Sequence, residues 1–354
     1  MAPHLDLDLP APALTAVLCD LASPSGQEKA LADSVEAALR SYPHLTVDRD
    51  GDAVVARTTL GRDSRVVVAG HIDTVPPAGN LPTRLDGGTL WGRGTVDMKG
   101  GVAVALRLAA HVPDPASDVT YVFYDNEEVE AERNGLGRVA SHRPELLRAD
   151  FAVLMEPTAA AVEGGCNGTL RVAVELTGTA AHSARWWMGS NAIHAAAPVL
   201  RRLAEYEPAT VVVDGLAYRE GLNAVAISGG IAGNIIPDHC VVTVNYRFAP
   251  SATEQEAFEH VAKVFDGYDV RLVDSAPGAR PGLDRPVAAA FVTTVGGQPQ
   301  AKVGWTDVAR FDALGVPAVN YGPGDPQLAH ADDERVDVAE IDLCEQRMRA
   351  WLRG

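Results

Sequence analysis

Cysteine is scarce in this chain, and what there is does not pair. Cys19, Cys166, Cys240 and Cys344 lie far apart with no C-x-x-C among them, which argues against a disulfide framework and a thiolate zinc site. They read as reduced core thiols of a reducing compartment. Basic residues are also in deficit: 30 Lys and Arg against 47 Asp and Glu leave a net charge of −17. That balance argues against non-specific nucleic-acid or anionic-membrane binding, because both need cations to neutralise phosphate. The opening MAPHLDLDLPAPAL has no Lys or Arg ahead of an apolar run, so it does not read as a secretory signal. No stretch approaches the roughly 18 continuous apolar residues of a membrane span, and there is no internal repeat or low-complexity tract. A cytoplasmic, soluble protein is expected.

What is present is an ordinary globular composition, 47% hydrophobic and 22% charged. At 354 residues the chain is long enough for two domains of about 150 residues each. The first 160 residues alternate strand-like and helix-like segments. Ser25-Gly26-Gln27-Glu28 has the pattern of a capping box opening an amphipathic helix to about Tyr42. Val47 to Arg57 reads as two strand pieces around Asp50-Gly51-Asp52. The runs Arg65–Ala69, Val119–Tyr124 and Phe151–Met155 suit strands buried on both faces, and Lys99–Val112 suits a buried helix. An α/β domain with a mainly parallel sheet follows.

From about Thr169 the texture changes. LRVAVELTG alternates, a helix-like stretch runs from Asn191 to Tyr206, and strands are expected at Asn223–Ser228, Val241–Phe248 and near Asp269–Val273. A helix is expected at Thr253–Phe265. The order suits a small α+β domain with one exposed sheet face, left through the Pro/Gly-rich segment Ser275–Pro286. The expected division is therefore an α/β catalytic domain, residues 1–168 and 280–354, interrupted by an inserted α+β domain, residues 169–279.

The chemistry lies where His, Asp and Glu follow the buried runs. His71 and Asp73 come directly after VVVAG, Asp97 closes GRGTVD, and Glu127-Glu128 follow YVFYDN. Glu156 ends FAVLM, and His330 lies in GDPQLAHADDE. In an open α/β sheet the carboxyl ends of the strands are where ligands bind. Each residue alone has a plainer reading: His71 or His330 as a solvated or capping residue, Asp97 as a helix N-cap, Glu127-Glu128 as a charged loop tip, Glu156 as a strand end. Together they reverse that reading, since carboxylates crowded at one sheet edge repel unless cations hold them. Two His with three or more carboxylates form a nitrogen and oxygen set suited to zinc, manganese or cobalt.

GHIDTVP (70–76), LWGRGTVDMKGG (90–101), YDNEEVEAERNGLG (124–137) and MEP (155–157) resemble motifs of the dinuclear-metal amidohydrolases of the M20 peptidase family. TAAHSARWWMGSNAIHAAAP (179–198), AGNIIPDHCVVTVNYRF (232–248) and GWTDVARF with YGPGDPQLAHADDE extend the resemblance over nearly the whole chain. It is closest to the family's desuccinylases of the actinobacterial type. The resemblance implies two divalent metal ions, zinc or cobalt, with Asp97 bridging them. His71 and Glu156 complete one metal's protein ligands, and Glu128 and His330 the other's. It also implies a cis peptide after Asp97. Asp73, leaving the same face as His71, suits an acceptor for the imidazole's second N–H. Glu127, beside a ligand but not one itself, falls at the family's general base.

His182 matches the inserted domain's family histidine, which reaches the partner subunit's active site and donates to the oxyanion. Alone it reads as a surface-loop histidine. Arg247, Asn234 and Thr306 match or lie in substrate-binding motifs; the plainer reading of Arg247 is a salt bridge across the inserted domain's sheet. Two positions depart from the family: Asn126 stands where many members have Asp, and Trp186-Trp187 replace small residues or proline. The implied activity is hydrolysis of the succinyl amide of N-succinyl-LL-2,6-diaminopimelate by a cytoplasmic homodimer. The alternatives are an acetylornithine deacetylase, an N-acyl-amino-acid hydrolase or another deacylase or exopeptidase of the family. A non-catalytic binding protein of the same fold is the alternative of a different class, and an intact Glu127 argues against it.

Overall fold

The β-branched run that starts at Arg65 becomes the middle of a sheet. In this computed structural model, which describes residues 3–354, a first unit comprises the chain up to Gly164 with Pro281–Gln300 and Arg310–Gly354. Its strands include β1 (Thr46–Asp50), β2 (Ala53–Arg57), β3 (Arg65–His71), β4 (Asp118–Tyr124), β5 (Phe151–Leu154), β6 (Glu163–Gly164) and β7 (Ala318–Asn320). They lie in the order β1-β2-β4-β3-β5-β7-β6. The four central strands are parallel, while β1, β2 and β6 run antiparallel at the margins. β4 and β5 are buried throughout, as is β3 beyond Arg65, because helices lie over the sheet.

Those helices are α1 (Ala11–Asp20), α2 (Lys29–Leu39), α3 (Lys99–His111), α4 (Gly135–His142), α5 (Pro286–Val295) and α6 (Val338–Arg353). One apolar cluster joins Leu14 and Leu18 of α1, Val102 and Leu106 of α3, Val68 of β3, Phe151 of β5 and Met348 of α6. At full burial each such side chain contributes about 1.5–3 kcal/mol. α3 lies close against the chain leaving β5: a Cβ on Gly101 would come within 2.1 Å of the Met155 carbonyl oxygen. Lys99, wholly buried, donates from Nζ to the carbonyls of Leu18 (2.9 Å) and Leu21 (3.1 Å) and ties the start of α3 to the end of α1.

The second unit comprises Gly165–Arg280 and Ala301–Ala309. The sequence placed the seams at 168/169 and 279/280 and kept 301–309 with the outer domain; here that return segment packs with the second unit. Its four-stranded antiparallel sheet runs Gly221–Gly229, His239–Phe248, Gly168–Thr177, Asp269–Ala276. Along His239–Phe248 the even-numbered residues from Cys240 to Phe248 are buried and the odd ones are not, so one face alone is covered. The cover is two helices, Ala197–Ala204 and Glu254–Val264, the latter starting from a capping box between Thr253 and Glu256.

One local expectation changes, and one hairpin was not expected. The run Asn191–Tyr206 is not one helix but two pieces, Ala192–Ala195 and Ala197–Ala204, the second restarting with Pro198 in its first turn. A hairpin, Thr210–Val213 with Leu216–Arg219, turns on Asp214-Gly215, both at positive φ (48° and 86°). No strand was expected there, although Asp-Gly after a β-branched run is a hairpin signal.

Candidate metal centre

The parallel strands of the first unit deliver their following residues to one edge. His71 is the last residue of β3, Glu127 and Glu128 follow β4, and Glu156 comes two residues after β5. Asp97 precedes α3, and His330 sits in the loop after β7. These six residues form three overlapping groups whose ligand atoms lie within 4.8 Å of one another: His71, Asp97 and Glu156; His71, Glu127 and Glu128; Asp97, Glu128 and His330. Asp97 occupies the middle. Its Oδ1 is 3.1 Å from His71 Nε2 and its Oδ2 is 3.3 Å from His330 Nε2. His330 Nε2 is also 2.9 Å from Glu128 Oε1. The Asp97–Met98 peptide is cis. Asp97 does not cap α3: Met98 holds the N-cap position and no side chain caps it.

The electrostatics of the cluster favour added positive charge. Hydrogen bonds to Asp97 and Glu128 push His330 up to about 10. Burial works against charge on His71, but Asp73 and Asp97 outweigh it and raise its pKa well above the usual imidazole value. Burial likewise opposes the Asp97 carboxylate, and the two imidazoles more than offset it, holding its pKa well below the ordinary range. Carboxylates that draw protons onto both imidazoles draw a divalent cation in the same way. Two imidazoles and three carboxylates, unmixed with thiolate, fit a borderline-to-hard ion.

Asp73 stands where the sequence put it. His71 Nδ1 faces both the Asp73 backbone oxygen (3.1 Å) and its carboxylate (3.4 Å). The carboxylate also accepts the amides of Glu127 (3.0 Å) and Glu128 (3.1 Å). It therefore touches the imidazole and the loop after β4 at once.

Sequence reasoning missed a second support. Glu334, buried four residues after His330, accepts from Arg93 Nη1 (2.7 Å) and from the amides of Val96 (2.9 Å) and Asp97 (3.2 Å). One carboxylate thus fastens the His330 loop to the Asp97 loop. HADDE held the signal, but nothing local separates Glu334 from Asp332 and Asp333. Asp125 is held by Arg138 through paired contacts of 2.6 and 3.2 Å, which fixes the base of the Glu127-Glu128 loop.

His182, Asn234, Arg247 and Thr306 belong to the second unit. His182 pairs with Ile235 across a two-residue ladder; its ring is exposed, and Nδ1 accepts from the Ala184 amide at 3.1 Å. Asn234, also exposed, accepts the Ser183 amide at its backbone oxygen, so these two lie side by side. Arg247 is half-buried on the uncovered sheet face and makes no ion pair among the described residues, unlike its neighbour Arg171, which pairs with Asp274 at 3.2 Å. The salt-bridge reading of Arg247 therefore fails. Thr306 is buried in the return segment. Trp186 and Trp187 are 71% and 67% exposed, edge to face at 6.3 Å.

Known proteins resemble this chain over nearly its whole length. The family model described as peptidase family M20/M25/M40 matches residues 67–353. The succinyl-diaminopimelate desuccinylase of Corynebacterium glutamicum is 46% identical over 96% of this chain and 95% of its own. A protein of Mycobacterium tuberculosis carrying the same desuccinylase name is 55% identical over 96% and 97%. Among solved structures, a tripeptidase from Staphylococcus aureus superposes with TM-score 0.80 at 19% identity, covering 99% of both chains. A dinuclear metal-binding peptidase of Bacillus subtilis superposes with TM-score 0.71 at 16% identity over 96% of both.

Proposed function

This chain belongs to peptidase family M20/M25/M40, and on that premise we propose that it hydrolyses the succinyl amide of N-succinyl-LL-2,6-diaminopimelate. The products are succinate and LL-2,6-diaminopimelate, a step of lysine and diaminopimelate biosynthesis. The observation that carries the reaction type is Asp97, with one oxygen toward His71 and the other toward His330. The acyl group and the amine follow the two desuccinylase relatives, whose identity runs through both units.

Asp97 would be shared by two divalent cations, one also held by His71 and Glu156 and the other by Glu128 and His330; the donor set suits zinc, with cobalt as a substitute. Bound there, the pair lowers the pKa of water and polarises the amide carbonyl. Glu127 takes the proton of the attacking water as its oxygen bonds to the carbonyl carbon. It then returns that proton to the nitrogen as the C–N bond breaks, so the amine leaves neutral. Asp73 keeps Glu127 and Glu128 at fixed positions through their amides.

The second unit supplies recognition. Arg247, with Asn234 and Thr306, binds the substrate's carboxylates; a guanidinium without a protein carboxylate partner is suited to take one from a ligand. We assign His182 to the partner subunit's active site, donating to the developing oxyanion, within a homodimer. The edge strand Gly221–Gly229 supports that dimer: it is unpaired on one side, and Val225, Ile227 and nearby Ile231 are 58%, 50% and 84% exposed. An apolar free edge calls for a partner. Four buried free thiols agree with a cytoplasmic home.

The test is metal loading of the chain and of Glu127→Gln. Both should bind two divalent ions per chain, while succinate release by the variant falls by about 10²–10⁴-fold. Loss of an ion together with turnover would make Glu127 a ligand and overturn its role as base.

A further inference from the structure

Ser25 and Glu28 have the spacing of a capping box, yet neither caps α2: its N-cap position has no side-chain hydrogen bond. Both residues turn the other way. Ser23–Ser25 is zipped to the chain just beyond His71. The Ser23 hydroxyl donates to the Ile72 carbonyl (2.6 Å), the Thr74 amide to Ser23 (3.1 Å) and the Ser25 amide to Thr74 (3.2 Å). The Ser25 hydroxyl then donates to Asp73 Oδ2 at 2.8 Å. Glu28, only 1% exposed, accepts at Oε1 from the amides of Gly26 (2.8 Å) and Asn126 (3.1 Å).

Asn126 is the residue before Glu127, and its φ of 57° lies in the left-handed region, which Asn tolerates better than most non-glycine residues. The next two amides end on Asp73. Three consecutive amides, 126 to 128, are therefore received by two buried carboxylates from other parts of the chain. Burying a carboxylate is costly, and helix initiation alone needs only an exposed Ser or Asp. What Glu28 adds is control of the turn that aims Glu127.

We propose that Glu28 is a positioning residue for the general base: by holding the Asn126 amide it fixes the direction in which the Glu127 carboxylate leaves the loop. The proposal rests on the role given to Glu127 above. A misplacement of about 1 Å at a reacting group can cost about 10²-fold in rate. Either a carboxylate or an amide oxygen can accept the Asn126 N–H, so the proposal separates acceptor from charge.

The experiment uses the zinc-loaded full chain with N-succinyl-LL-2,6-diaminopimelate. Glu28→Ala should lower kcat by about 10–100-fold with KM and metal content unchanged, and Glu28→Gln should restore kcat to within about threefold of the parent. In the Glu127→Gln background, Glu28→Ala should change residual single-turnover hydrolysis by less than about twofold, because there is no base left to aim. Equal losses in both backgrounds, or a fall in metal content or a rise in KM that tracks kcat, would overturn the proposal. If Glu28→Ala does not fold, Glu28→Asp, shorter by one methylene, carries the same cycle. Full turnover by Glu127→Gln alone would refute the base itself, and normal turnover by Glu28→Ala beside an inactive Glu127→Gln would refute only the positioning role.

Discussion

Glu127 and Glu128 are adjacent, of one chemical type, and given different work by what surrounds them. Glu128 faces His330 at 2.9 Å, while Glu127 groups with His71 and Glu128 but not with Asp97 and His330. A contrast of partner and no partner among the described residues marks Arg171 and Arg247. Burial lowers the pKa of Arg247, and the like charge of Arg171 lowers it further, so the guanidinium is short of an anion. Arg247→Ala should raise KM for the succinylated substrate by about 10–100-fold, the size of a lost charged hydrogen bond, with kcat within about threefold and metal content intact. Arg247→Lys should recover little, because an ammonium cannot reproduce the two-pronged contact. Steady-state kinetics with metal analysis checks this, and an unchanged KM would remove Arg247 from the pocket.

At the scale of elements, the strands of the first unit were legible because a strand buried on both faces is mostly apolar, as Val66–Ala69 of β3, Val119–Tyr124 of β4 apart from Thr120, and all of β5 are. The candidate ligands were legible for a related reason: His, Asp and Glu are conspicuous after such runs, and parallel strands bring their ends to one edge. What could not be read was any role set by a partner distant in sequence. Ser25-Gly26-Gln27-Glu28 satisfies a local rule, and only the fold brings Glu28 to Asn126, 98 residues away. Glu334, 238 residues from Val96, was hidden for the same reason. Local patterns misled again at Asn191–Tyr206, where helical periodicity continues across a proline that interrupts the helix.

For the whole molecule, an overall charge of −17 and a substrate bearing several carboxylates make recognition depend on a few placed cations rather than on the general field. The second unit, inserted between Gly164 and Pro281, carries those candidates together with His182 and the apolar free strand. If the dimer joins two such units about a two-fold axis, each serves the other chain's metal centre. Mixing Glu127→Gln and His182→Ala chains, each inactive alone, should then restore roughly a quarter of the parental sites, since half the dimers are mixed and each has one intact site. No recovery despite demonstrated subunit exchange would return His182 to a surface role.

A two-metal site in this chain that removes succinate from an amide of diaminopimelate should show itself in substrate choice. The measurement is kcat/KM of the zinc-loaded full chain for N-succinyl-LL-2,6-diaminopimelate beside N-acetylornithine. A preference of about 100-fold or more for the succinylated substrate is expected, since a site built to pair its carboxylates leaves buried cations unpaired with the smaller one. One succinate should be released per free amine formed. Equal rates, or a preference for acetylornithine with both metals bound, would contradict that activity.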